Sequence, residues 1–118
     1  MATCIDLEQA VLGVLGEGKM AQPAFQKNHE PDLPYACLQP YEYHLAHGSD
    51  HVWTYSCAYD VILCTRTRDR SLEMQMLDAL DAHGILLRDV LPSYDPDERL
   101  MLVTFVTEPV TEVLDDDD

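Results

Sequence analysis

His44, His47 and His51 stand three and four residues apart, with Cys57 six further on. On a helix that spacing would gather three imidazoles on one face, a ligand set for zinc. The segment also holds Gly48, Ser49 and Asp50 and reads as a loop, so the helical geometry is lost and no metal is expected. Asp95, Asp97 and Glu98 could offer carboxylates to calcium. They lack the glycine and the later glutamate of an EF-hand loop, and Pro96 among them points to a turn. Trp53, Tyr55 and Tyr59 alternate along one stretch and could stack bases, with Arg66, Arg68 and Arg70 as the nearby cations. In so acidic a chain the stripe reads instead as the core-facing side of a strand.

Nucleophilic chemistry has no better footing. No serine sits in a G-x-S-x-G elbow. Cys4, Cys37, Cys57 and Cys64 form no C-x-x-C pair. Gly13, Gly16 and Gly18 cluster near a helix end and do not follow a strand, so they form no phosphate cradle. No catalytic or cofactor-binding residue is assigned, and an enzyme is not expected.

The elements that carry these residues follow from periodicity. Ile5–Gly16 reads as a first helix, with Leu7, Val11, Val14 and Leu15 at helical spacing and Asp6 and Glu8 near its start. Met20–Phe25 reads as a short strand, and Tyr35–Gln39 as a second one closed by Pro40. Tyr41–His51 is then a polar loop rich in tyrosine and histidine. Val52–Thr65 alternates as a long half-buried strand, with Trp53, Tyr55, Cys57, Tyr59, Val61 and Leu63 facing the helices. Cys57 and Cys64, seven apart on that strand, point to opposite faces and cannot bridge.

A second helix is predicted over Arg70–His83, capped by Asp69 or Ser71 and stopped at Gly84. Leu72, Met76, Ala79 and Leu80 form its apolar stripe, with Leu77 beside them; Glu73, Gln75, Asp78 and Asp81 face water. Ile85–Leu91 and Arg99–Thr107 are the last strands, joined by a turn across Ser93–Glu98. The fold expected is α+β: a small, mostly antiparallel sheet of four to five strands flanked by two helices, in the order α-β-β-β-α-β-β. Residues 1–114 form one domain, and the Asp115–Asp118 run is expected to be disordered.

Composition narrows the partners. The chain has 118 residues, 47% of them hydrophobic, which is enough for one core without metal or disulfide staples. Its 22 acidic residues against 7 basic ones give a net charge of −15. Without a basic stripe it is not expected to hold nucleic acid through phosphates. No apolar run reaches the roughly 18 residues of a membrane span. Met1-Ala-Thr-Cys4 runs into the first helix without a basic and apolar leader, so reduced thiols in a cytosolic protein are expected.

Three stretches carry a family resemblance. The first is Pro34-Tyr35-Ala-Cys-Leu38, followed by a polar loop ending in His51-Val52-Trp53. The second is Tyr59-Asp-Val-Ile-Leu-Cys-Thr65, with Arg68-Asp69 opening a helix that contains Glu73 and Leu80. The third is His83-Gly84-Ile85 leading to a hairpin with Tyr94 and Glu98-Arg99-Leu100. Over roughly residues 33–108 this pattern resembles the tail terminators, the small tail-completion or minor tail proteins of phages with long non-contractile tails. The histidine-rich loop and the acidity depart from that pattern.

The resemblance implies a protein of the host cytoplasm during assembly and of the virion tail afterwards. It would close as a ring, usually a hexamer, on the finished tail tube, end polymerisation and let the head join. Its partners would be copies of itself, the major tail-tube protein and the head connector. DNA would pass through the ring without being bound. The loop with Tyr41, Tyr43, His44, His47, Asp50 and His51 is the expected tube-docking element. Two other functions fit the composition: an acidic DNA mimic that inhibits a DNA-binding enzyme, and a head-closure or adaptor protein of the same particle.

Overall fold

A computed structural model describes residues 2–47 and 52–112. Over these described residues the chain folds as an α+β protein with two helices and a six-stranded, mostly antiparallel sheet. Helix α1 spans Cys4–Leu15 and α2 spans Arg70–Ala82. The strands are β1 (Met20–Ala21), β2 (Tyr35–His47), β3 (Val52–Thr65), β4 (Leu87–Asp95), β5 (Leu100–Thr107) and β6 (Val110–Thr111). They lie in the order β1-β2-β3-β5-β4, with β6 pairing β3 beyond the end of β5.

Both helix starts are capped by side chains that answer the unpaired amides of the first turn. At α1, Thr3 Oγ1 accepts from the Asp6 amide at 3.1 Å while Asp6 Oδ2 accepts from the Thr3 amide at 2.9 Å, a reciprocal capping box. At α2 the cap is Asp69, whose Oδ1 accepts from the Leu72 amide at 3.0 Å. The far end of α2 closes in a Schellman arrangement: the Ile85 amide donates to Leu80 O and the Gly84 amide to Asp81 O. This turn needs a left-handed residue, and Gly84 supplies it with φ 77°.

The helices lie together on one face of the sheet. Leu7, Ala10 and Val11 of α1 and Met76 and Leu80 of α2 pack against Tyr59, Val61 and Leu63 of β3 and Val103 and Phe105 of β5. The face of β3 expected to meet the helices does so at Cys57, Tyr59, Val61 and Leu63. The opposite face carries a smaller cluster of Tyr35, Cys37 and Cys64, covered by Phe25 and Leu33. Cys57 and Cys64 thus sit in different clusters, and all four cysteines are buried.

Several expectations change. The second strand does not stop at Pro40 but runs on to His47, pairing with β3 as one long hairpin. The segment expected as a loop, Tyr41–His51, is therefore strand over its described part; Gly48–His51 lie outside the described residues, as do 113–118 with the Asp115–Asp118 run. Proline is tolerated because amides on this side of β2 point away from β3. The Ala36 amide, two pairs earlier in the same orientation, donates outward to Lys19 O. The first short strand is only Met20–Ala21, β4 begins later and runs to Asp95, and the turn shrinks to residues 96–99. There Asp95 Oδ1 accepts from the Asp97 and Glu98 amides, so this carboxylate serves the turn. Glu73 does not face water: it is 9% exposed and takes a two-point contact from Arg68 at 3.2 and 3.3 Å.

The outer strand β4 is exposed along almost its whole length. Pairing puts Pro92 opposite Val103, and a residue without N–H can occupy only the position whose nitrogen faces outward. Two residues back, the outward amide of Val90 is held by Asp89 Oδ1 at 3.2 Å. The free rim thus offers few donors to an incoming strand.

Burial on the far face sets an alkaline limit. It pushes the Cys64 thiol up to about 12, and burial also lifts the Tyr35 phenol to about 12. Both groups hold their protons in the folded state at a pH where the unfolded chain has lost them. Their contribution is complete below the ordinary thiol value of about 8.5 and is lost as pH rises through about 12. Denaturant melts should therefore show stability falling steadily above pH 9, and a Cys64→Val variant should show a shallower fall. Equal slopes would contradict the burial argument.

Candidate functional site

The hairpin arm is built by a change of register. Pro40 pairs with Tyr59 and Glu42 with Ala58, so Tyr41 is the extra residue of a β-bulge. A bulge resets the alternation of faces. Before it, Tyr35 and Cys37 look away from the helices; after it, Tyr43 lies opposite Cys57 and Leu45 opposite Tyr55, on the helix side. The helices give these residues little cover. Tyr43 is 60% exposed and Leu45 59%, and the Tyr43 ring rests against Tyr55 with centroids 6.3 Å apart. The result is an apolar finger on a protein about 50 Å long.

The arm's base is fastened to the body. Tyr41 Oη donates to Thr107 O at 3.1 Å, across 66 positions of sequence. Thr107 is fully buried, and its Oγ1 accepts from the Tyr59 amide at 3.0 Å where β5 peels away from β3. Tyr59 in turn donates to both carboxylate oxygens of Glu112 at 3.0 and 2.9 Å, and burial with this carboxylate raises its phenol far above the usual range. On the face away from the finger, Arg88 donates to Glu108 at 3.1 and 3.3 Å and lies 3.7 Å from Glu42, which is 3.4 Å from His44. Arg88 holds the Glu108 carboxyl below the usual carboxylate range.

The candidate residues thus divide. Tyr43 belongs to the exposed finger, Tyr41 is an anchor of the arm, and His44 stands with Glu42 on the opposite face. His47 ends β2 with its side chain outside the description, and Asp50 and His51 lie outside the described residues. In a strand, His44 and His47 are about 10 Å apart along the chain, which removes the one-face spacing a helix would give. Cys57 is fully buried, its thiol turned to Ala58 O. Among the described residues no three His, Cys, Asp or Glu side chains converge to hold a metal ion. No described helix is long and apolar enough to cross a membrane.

Sequence reading missed Leu45 and Tyr55 as parts of the finger, and Arg88 with Glu108 as its brace. A signal was present: Glu42, Tyr43, His44 and Leu45 alternate polar and apolar with the period of a strand. Pro40 concealed it.

No protein-family model and no curated protein matches this chain.

Proposed function

We propose that this chain is a structural protein of a long-tailed phage particle that closes as a ring, hexameric in this reading, on the finished tail tube. The ring ends polymerisation and offers the head connector its docking surface. The observation that carries the reading is the β2–β3 arm, whose Tyr43, Leu45 and Tyr55 form an apolar finger standing clear of the core. Large aromatic area at low entropic cost suits an assembly contact. The net charge of −15 fits a lumen through which DNA slides unbound, since carboxylates repel phosphate over the roughly 8 Å that physiological salt leaves unscreened.

The test is deletion of the gene from its parent genome, with electron microscopy of the particles. Overlong tubes of irregular length beside unjoined capsids are expected. Tails of normal length joined to heads would overturn the reading, and tight binding of double-stranded DNA at low salt would overturn the lumen argument.

A further inference from the structure

The two rims of the sheet differ. At β4, Pro92 has no N–H to turn outward and the Val90 amide is held by Asp89, so that rim offers an incoming strand little. At the other rim, β1 covers only Ala36 and Cys37 of β2. Pro40 removes one more donor. Beyond it the outer edge of the arm has no strand beside it among the described residues.

The pairing fixes which groups face outward there. The Glu112 amide donates to Tyr55 O from the β6 side, so Tyr55 turns its backbone groups away from β2. Leu45 lies opposite Tyr55, and in such an antiparallel pair both residues point away from each other. The register is unbroken from Glu42 to Ala46, so Tyr43 is turned the same way. Tyr43 and Leu45 therefore each hold out an N–H and a C=O, about 7 Å apart along the strand. No backbone group among the described residues answers them.

Extended backbone completes such a row, and its side chains are sorted by the pleat. Residues opposite Tyr43 and Leu45 lie on the apolar finger face. Those between them lie beside Glu42 and His44 on the other face. That face is negative, because one guanidinium, Arg88, stands against the two carboxylates of Glu42 and Glu108. Glu112 is bonded to the phenol of Tyr59, a neutral group that cancels no charge. A second copy supplies no suitable strand. Its β4 rim lacks the donors, and its arm would bring like charge to like on chains of net charge −15.

We infer that the outer edge of the arm takes up an extended segment of another protein as an added strand. That segment is apolar opposite Tyr43 and Leu45 and carries lysine or arginine between. The inference rests on the assembly reading of the finger and names its partner's chemistry; on that reading the segment belongs to the tail tube.

Hydrogen exchange followed by NMR tests it on the unmodified chain, with a short end-blocked peptide alternating lysine and valine as the probe. In the chain alone the Tyr43 and Leu45 amides should exchange freely, while the His44 amide, turned to β3, is protected. With the peptide at about ten times its dissociation constant, exchange at Tyr43 and Leu45 should slow about tenfold. A peptide with glutamate in place of lysine, or one with methylated backbone amides, should leave both unprotected. Equal slowing by the glutamate peptide would overturn the partner's charge, and equal slowing by the methylated one would overturn strand addition. Slowing that grows with the concentration of the chain alone would put a second copy on the edge and overturn the inference, as would no slowing with the lysine peptide. None of these results bears on tail length in the deletion strain, on which the ring reading stands or falls, so the two failures are distinguishable.

Discussion

Leu80→Asp is expected to abolish the cooperative thermal transition of this protein. Leu80 is fully buried on α2, among Leu7, Val11 and Phe105 of the same cluster, and its carbonyl also closes the Schellman turn through Ile85. Shortening a buried leucine to alanine costs about 2–5 kcal/mol. A carboxylate at that position adds the desolvation of a charge with no partner, or the cost of holding it protonated, again several kcal/mol. A domain of this size has about 5–15 kcal/mol in total, so the sum consumes most or all of it. Circular dichroism at neutral pH should show no native melt, while Leu80→Ala should still melt cooperatively at a lower temperature. A native-like melt for Leu80→Asp would mean that α2 does not seat on the sheet through this residue.

Tyr43→Ala should do the opposite. Its side chain is largely exposed, rests against Tyr55 at a tilt and lies beyond the helices, so its removal should change stability by no more than about 1 kcal/mol. Assembly, in contrast, should fail. Exposed aromatic anchors dominate contact energies, and losing one commonly costs about 2 kcal/mol or more, a weakening of roughly thirtyfold or greater. Complementing a deletion strain with Tyr43→Ala should therefore leave overlong tails despite normal amounts of folded protein. If the variant restores tails of normal length, the finger is not the docking element. If it melts as poorly as Leu80→Asp, the division between core and arm is wrong.

Where one physical signal acted alone, the sequence was readable. The α2 stripe of Met76 and Leu80 and the Gly84 stop each follow from a single local rule, as does the core face of β3, and of the two caps the sequence offers, Asp69 and Ser71, the helix uses Asp69. The misreadings arose where two signals competed. At Pro40 a residue that usually ends strands sits where its nitrogen faces outward, so the strand continues and the candidate loop becomes an arm. At Thr3 the capping box uses Asp6, one methylene shorter than the usual glutamate, and the helix starts one residue earlier than apolar spacing suggests. Glu73 reads as a water-facing position until Arg68, five residues back, is seen to cover it. The brace of Arg88 with Glu108 and the bond from Tyr41 to Thr107 join segments that no local pattern connects.

The donor-poor rim of β4 has a consequence for how copies of this chain meet in a crowded solution. Copies at high concentration collide often, and an unguarded edge strand would let them join side by side into extended sheets. Pro92 and the Asp89-bound amide of Val90 leave such encounters without a row of donors to latch onto. Accidental meetings along that flank therefore end in separation. A concentrated solution of this chain should stay free of edge-to-edge aggregates built through β4.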